Sequence, residues 1–286
     1  MSNAPDLTAA IARLFVYPVK SCAGVELREA VLTETGLDLD RAWMVVDEKG
    51  DFVSQRELPR MALIRPQIRL SDVVLRAPGM LALHLQIDTV EEPVKVRVWD
   101  DEVQAYDMGA VAAQWFSDFL GRPLRLVRFD PEQQRLASRK WTGDAEAPTQ
   151  FQDGYPLLVT STASLDLLNA RLAAAGHAAV GIERFRPNIV LAGLEAHDED
   201  RLELIRIAAD EGQVQLRPVK PCSRCPIPNV DPATAQVDPV VTDTLQSYRR
   251  DPALDGAVTF AMNAIVVEGV DRTLRIGQPV AATIRF

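Results

Sequence analysis

Residues 63–106 read LIRPQIRLSDVVLRAPGMLALHLQIDTVEEPVKVRVWDDEVQAY. Short strand-like runs at 63–70, 73–76, 81–87, 94–99 and 102–106 recur at regular spacing, with turn signals between them. Many short strands in such an arrangement predict a barrel or a sandwich. The pattern continues upstream. Residues 42–46 (AWMVV) form a near-continuous apolar run typical of a buried strand. Glu48-Lys49-Gly50-Asp51 is a hairpin turn, and Phe52-Val53-Ser54-Gln55 returns from it. Residues 12–18 (ARLFVYP) read as a strand that runs into Val19-Lys20-Ser21-Cys22-Ala23-Gly24, and 25–32 as a second strand. A strand end followed by Lys, Ser and a Gly turn presents an ammonium and a hydroxyl to a pocket, or is simply an exposed strand end.

Downstream the pattern changes. Residues 109–120 read as a helix, with Val111, Trp115, Phe116, Phe119 and Leu120 on its apolar face and Gly121 as its C-terminal cap. After a strand at 124–129, residues 130–154 turn polar with little periodicity, which marks a domain junction or a mobile loop over a site. A strand at 155–160 leads through the N-capping pair Ser161-Thr162 into a helix at 163–175, with Leu165, Leu168 and Leu172 on one face and Gly176 after it. In Arg186-Pro187-Asn188 the proline disfavours helical geometry at Arg186, so Arg186 and Asn188 are expected on an extended segment, pointing to one side. Residues 195–203 are acidic and read as a solvated surface. Strands at 204–208, 214–219, 258–267 and 279–286 and a short helix at 240–250 complete the chain. The fold class is mainly β with some α.

The chain's 286 residues allow one large domain or two ordinary ones. A net charge of −9 argues against a general nucleic-acid binder. No apolar run approaches the ~18 residues that span a bilayer, and MSNAPDLTAA lacks a secretory pattern. Three cysteines in a chain this long make no disulfide scaffold. These features point to a soluble protein of a reducing compartment, most simply the cytoplasm.

The chemistry concentrates in residues 217–231, RPVKPCSRCPIPNVD. Four prolines predict a stiff, irregular loop presenting Cys222 and Cys225 beside Arg224. A structural zinc site would need two more ligands, and Cys22, His84, His177 and His197 are not in ligand spacing. A redox dithiol normally opens a helix, whereas here Pro226 and Pro228 follow. Two buried cysteines without chemistry are a third reading. The fourth is a single thiolate ligating a metal or cofactor, with Lys220 and Arg224 favouring its charged form and an anionic ligand. Lys20, Arg41, Arg186 and Arg224 lie at or near strand ends in four separate segments. Should they converge, they would bind a phosphate-bearing molecule, with Ser21, Asn188 and Ser223 as neutral partners.

Taken in order, YPVKS, DRAW, FRPN and CSRC with the following VDP are a specific combination. The first part of the chain resembles the N-terminal β-barrel domain that precedes MOSC domains, and the second resembles the MOSC domain itself. The likeness runs from about residue 10 to the end. It places an N-terminal MOSC-associated β-barrel domain in residues 1–129 and a MOSC domain, a β-barrel with flanking helices, in 130–286. Among functional relatives it is similar to the amidoxime-reducing molybdenum enzymes.

That resemblance implies a molybdenum cofactor, Mo-molybdopterin, with Cys225 as the protein's metal ligand and Cys222 as its neighbour. It implies cofactor contacts from Lys20, Ser21 and Arg41 on the N-terminal side and from Arg186, Asn188, Ser223 and Arg224 on the other. Asp153 matches an acidic residue near the metal that positions substrate or relays a proton; Asn263 and Asp231 are weaker matches. The implied reaction is reduction of N-hydroxylated compounds, namely amidoximes, hydroxylamines and N-oxides. The chain shows neither the membrane anchor of the mitochondrial members nor a C-terminal iron–sulfur domain. Electrons are therefore expected from a separate ferredoxin-, flavodoxin- or cytochrome b5-like protein. The same loop would also suit a sulfur carrier with a persulfide on the cysteine for cluster or cofactor assembly, or a cofactor-binding protein without turnover.

Overall fold

The computed structural model describes residues 5–89, 92–210 and 212–285. Residues 1–4 of the stretch read for a secretory signal, and Phe286 at the end of the closing strand, lie outside them. The first part of the chain supplies β1 (Leu7–Val16), β2 (Trp43–Val46), β3 (Arg65–Ile68), β4 (Asp72–Arg76), β5 (Leu83–Gln86), β6 (Pro93–Val98), β7 (Asp101–Asp107), α1 (Gly109–Leu120) and β8 (Arg125–Phe129). Then come β9 (Leu157–Ser161), α2 (Thr162–Ala174), β10 (Ile189–Ala192), β11 (Leu202–Ala209), β12 (Gly212–Ser223), α3 (Val240–Gln246), β13 (Ala257–Glu268) and β14 (Pro279–Ile284).

Seven strands form a closed barrel in the order β9-β10-β1-β14-β11-β12-β13, and β13 closes it by pairing with β9 at Leu158↔Asn263. Its interior is filled by alternate residues such as Leu14, Ile189, Leu191, Ile205, Leu216 and Val280, the inward set that a period of two selects. The chain division drawn at residues 129/130 does not follow the sheets in space, because β1 is a stave of this barrel, antiparallel to β10 and β14. A second assembly holds the four-stranded sheet β2-β8-β7-β6 and the meander β3-β4-β5. Between them, Trp43, Val45, Val73, Leu85 and Leu126 share a core with Phe116 of α1.

Helix α1 buries Trp115, Phe116, Phe119 and Leu120, whereas Val111 stands 76% exposed and leaves the apolar face assigned to it. Gly121, at φ 79°, caps it and donates its N–H to Ser117 O at 2.8 Å. The Ser161 hydroxyl accepts the Ser164 N–H at 3.1 Å to open α2, and Leu168 and Leu172 are fully buried beneath that helix.

Three expectations change. The acidic 195–203 stretch is not a solvated surface throughout: Glu199 is fully buried and accepts hydrogen bonds from the hydroxyls of Thr160, Ser161 and Ser164. Such a set of donors replaces lost hydration. Residues 217–223 are not an irregular loop but the end of β12, which carries Pro218 and Pro221. Its register with β13 shifts between Pro218 and Lys220 and between Pro221 and Ser223; bulges are where a strand tolerates a residue without an N–H. The polar 130–154 stretch is folded. It carries a short strand pair, Arg135–Leu136 with Pro148–Thr149, and a buried Arg135 that donates to Gln150 O at 3.0 Å and Gln152 O at 2.7 Å.

Candidate functional site

A single cleft is lined by Lys20, Ser21, Arg41, Asp153, Arg186, Asn188, Ser223, Arg224 and Cys225, together with Cys222 and Asn263. Residues from well-separated parts of the chain meet there because β1, β9, β10, β12 and β13 are neighbours in the barrel wall. The turns after β1 and before β2 lace together, with Arg41 N–H donating to Tyr17 O at 2.9 Å and Lys20 N–H to Trp43 O at 2.8 Å.

Three lining residues hold left-handed backbone: Ser21 (φ 67°), Arg41 (φ 55°) and Arg186 (φ 58°). Such geometry is uncommon for side chains with a Cβ and persists where the surroundings over-determine it. It also corrects the expectation for Arg186. The residue is not extended but ends the 3-10 turn Ile182–Phe185 in the left-handed region. The following proline disfavours only the right-handed helical alternative.

The cations are held from behind. Arg186 donates to Cys22 O at 2.6 Å and packs its guanidinium 4.2 Å from the Tyr17 ring centroid. Arg41 contacts the same ring at 4.4 Å, donates to Arg186 O at 3.1 Å and pairs with Asp40 at 2.5 Å. Arg224 donates to Phe185 O at 3.0 Å and to the Cys222 sulfur at 3.0 Å. Burial, reinforced by Arg41's charge, lowers Arg186 to about 10. Arg186 Nη2 and Arg224 Nε are buried without any hydrogen-bond partner, which is costly for a charged donor.

Lys20 is 6% exposed; its ammonium donates to Phe151 O at 2.7 Å and to Asp153 at 2.5 Å. Burial pushes Lys20 below its ordinary value, against the pull of Asp153. Desolvation would raise Asp153, but the charge and hydrogen bond of Lys20, the charge of Arg41 and the Trp99 N–H outweigh it and hold the carboxyl below the usual range. The proton of this pair therefore resides on Lys20.

Some residues sit differently from what the sequence suggested. Asn188 is buried and both ends of its amide serve the backbone: Nδ2 donates to Phe15 O at 3.2 Å and Oδ1 accepts Leu158 N–H at 3.0 Å. Lys220 does not line this cleft, and the cysteine that Arg224 touches is Cys222. Asp231 pairs with Arg184 at 2.8 Å and caps the turn that follows it. Cys22 is buried and its thiol is pushed up to about 12 by desolvation. Sequence reasoning missed Tyr17, Phe52, Arg56 and Trp99. The signal for Trp99 was its place beside Asp100 between two strands, where a tight turn puts a side chain at a sheet's end.

Among the described residues no group of three His, Cys, Asp or Glu side chains is placed to hold a metal ion. A metal here would need most of its ligands from a non-protein group. The open guanidinium N–H groups and the cations suit an anionic group, and the nearby thiols suit a soft metal carried by it.

The site is thus a cation-lined cleft beside two cysteines in the wall of a closed barrel. The family models agree with the architecture: residues 8–123 match the MOSC N-terminal beta barrel domain and residues 146–281 match the MOSC domain. The chain belongs to the MOSC-domain family, in the group that carries the N-terminal barrel domain. It is 35% identical over 283 residues to mitochondrial amidoxime reducing component 2 of Homo sapiens, covering 94% of this chain and 82% of that one. It is 36% identical over 284 residues to mitochondrial amidoxime-reducing component 1 of Mus musculus, covering 94% and 81%. Against the molybdenum cofactor sulfurase of Bos taurus it is 32% identical over 256 residues, 84% of this chain and 29% of that one. Among the described residues no helix is long and apolar enough to cross a membrane.

Proposed function

We propose that this protein binds a molybdenum cofactor in the cleft and reduces N-hydroxylated compounds with electrons from a separate redox protein. The observation that carries the reading is the convergence of Lys20, Arg41, Arg186 and Arg224 on one cleft beside Cys225, with two buried guanidinium N–H groups left open. Arg186, Arg224 and Arg41 would hold the cofactor's anionic group, with Lys20, Ser21 and Ser223 completing the wall. Asn188 positions the strands rather than spending its amide on the ligand. Cys225 would be the thiolate ligand. The cofactor, when bound, supplies two-electron chemistry that takes oxygen from nitrogen.

The chain's own groups handle substrate and protons. Removing oxygen from an N–OH compound consumes two electrons and two protons and yields the N–H compound and water. Asp153 is ionised beside Lys20, so it acts as an acceptor that orients the substrate's N–H or O–H. Lys20, buried and lowered, is the group of the pair that holds a proton to give. Trp99 steadies Asp153 through its N–H at 3.2 Å.

The test is molybdenum content and amidoxime reduction, with a chemical reductant, for wild type, Cys225→Ala and Cys222→Ala made in a cofactor-synthesising host. Near-stoichiometric molybdenum and turnover, both lost in Cys225→Ala and largely kept in Cys222→Ala, support the reading. A Cys225→Ala protein with full metal and activity overturns it. A one-sulfur mass adduct on Cys225 with no molybdenum would replace it by the sulfur carrier.

A further inference from the structure

A second groove opens on the far side of Cys225 and Asp153. It has a volume of about 580 Å³ and shares Arg56, Asp153, Tyr155 and Cys225 with the cleft. Trp99, Trp141 and Tyr155 line it, and all three are at least partly exposed. Lys220 projects between the latter two, its ammonium 5.6 Å from the Trp141 ring centroid and 6.0 Å from that of Tyr155. Arg56 lies 4.6 Å over Trp99.

Two features set this groove apart from ordinary surface. Trp99 occupies the turn between β6 and β7 with φ 57°, a conformation that tight hairpins normally give to Gly, Asn or Asp. A bulky side chain kept in strained backbone points to use of that side chain, and its indole N–H is tied to Asp153 at the boundary with the cleft. The charges are also unequal. Arg135 is paired with Asp101 at 2.7 Å and Asp153 with Lys20. Arg56 and Lys220 have no carboxylate partner among the described residues; of the three exposed carboxylates that line the groove, Asp101 and Asp153 are paired with Arg135 and Lys20, which leaves two cations facing Asp100.

We propose that this groove is a substrate-recognition subsite for a planar aromatic group bearing an anionic substituent, with Lys220 as the counter-charge and Trp141 and Tyr155 as the apolar walls. The proposal rests on the reductase reading for its chemistry: the N–OH end lies at the boundary beside Cys225 and Asp153, and the aryl body extends outward. Aromatic rings stack well on Trp and Tyr, and an ammonium held between two rings presents its charge with little loss of side-chain freedom.

The test is calorimetric binding to cofactor-loaded protein of an aryl amidoxime with a para carboxylate, its uncharged parent and a small aliphatic amidoxime, with kcat/KM measured for each. Lys220→Met is expected to weaken the carboxylate ligand about tenfold, as loss of a charged hydrogen bond does, and to erase its advantage over the parent. Trp141→Leu is expected to weaken both aryl ligands relative to the aliphatic one. The proposal is overturned if wild type binds the carboxylate no better than the parent, or if Lys220→Met leaves their ratio unchanged. It is equally overturned if Arg186→Met, in the cleft, abolishes the ratio instead. Binding that follows Lys220 without turnover would keep the subsite and sink the reductase reading, so the two fail separately.

Discussion

At the rim of the barrel, Arg13 clasps Glu26 through two hydrogen bonds of 2.7 and 2.8 Å, in the open. In the cleft, Arg186 and Arg224 meet no carboxylate among the described residues; they rest on carbonyls, a sulfur and aromatic rings, and each leaves a buried N–H unused. The chain carries a net charge of −9, so carboxylates are plentiful, yet none neutralises these two. A buried charge without a partner opposes folding. The arrangement is intelligible when an anion completes it, and the unbound cleft then carries the cost of being ready.

The largest effect should come from Asn188, whose buried amide is tied to two backbone groups. Replacing Asn188 with Ala removes the amide that satisfies Phe15 O and Leu158 N–H. Two buried backbone groups lose partners, so unfolding stability should fall by roughly 3 kcal/mol, seen as a lower midpoint in urea with an unchanged slope. A loss of anion binding at undiminished stability would put Asn188 back among the ligand contacts.

Arg186→Met should behave in the opposite way. It removes a buried cation with an open N–H together with one hydrogen bond to Cys22 O, so unliganded stability should stay within about 1 kcal/mol of wild type. Inorganic phosphate at about 100 times its dissociation constant should stabilise wild type by about 2.7 kcal/mol and leave the variant nearly unmoved. Thermal unfolding with and without phosphate reads both numbers. Equal protection of the two proteins would break the contrast between cleft and rim.

The Lys20–Asp153 pair gives a pH signature. Asp153 is held low, so in wild type its contribution is present above its unfolded value, near 4, and is lost as pH falls through the lower folded value. In Asp153→Asn the buried Lys20 ammonium loses its counter-charge and its folded value drops further below the unfolded one. The native state then binds fewer protons than the unfolded chain, and stability must rise with pH. The variant's melting temperature should climb more steeply than that of wild type from neutral towards alkaline pH. Parallel profiles would mean the ion pair carries no such linkage.

How much of this was legible beforehand depends on what kind of signal each residue leaves. The strands at 72–76 and 101–107 and the helix at 109–120 announce themselves through periodicity and turn chemistry, because one buried face imposes a repeat on the sequence. The cleft residues were named through the motifs YPVKS, DRAW, FRPN and CSRC, and the structure brings those named residues into one cleft. What stayed hidden was orientation and burial. Glu199 sits in an acidic run whose composition says surface; only the three hydroxyls from β9 and α2 make its burial tolerable, and those are tertiary facts. Pro218 and Pro221 said loop, because a sequence does not show that bulges would take up their missing N–H groups. Arg186 reads as extended because Pro187 disfavours the right-handed helical alternative, and its left-handed backbone (φ 58°) is decided by the contacts that hold it. Lys220 reads as a cleft cation from its nearness to Cys222, and a regular strand would put residues two apart on one face; the register shift between Pro221 and Ser223 breaks that alternation, and Lys220 lines the second groove instead.

The smallest effect belongs to the rim. In Arg13→Ala the bidentate pair with Glu26 is lost, but both side chains are about four-tenths exposed, and water takes over their hydrogen bonds. Exposed pairs of this kind contribute about 0.2–1 kcal/mol, less as salt rises. The guanidinium also lies 4.6 Å over the Phe15 ring, so part of any loss is packing, which salt does not screen. Unfolding midpoints of wild type and Arg13→Ala at low and high ionic strength separate the two contributions: a difference that shrinks with salt belongs to the ion pair, and one that persists belongs to the ring contact. Phosphate protection should be the same in both proteins. Were it weakened as much as in Arg186→Met, anion binding would be a property of the whole surface field, and the distinction between cleft and rim would not stand.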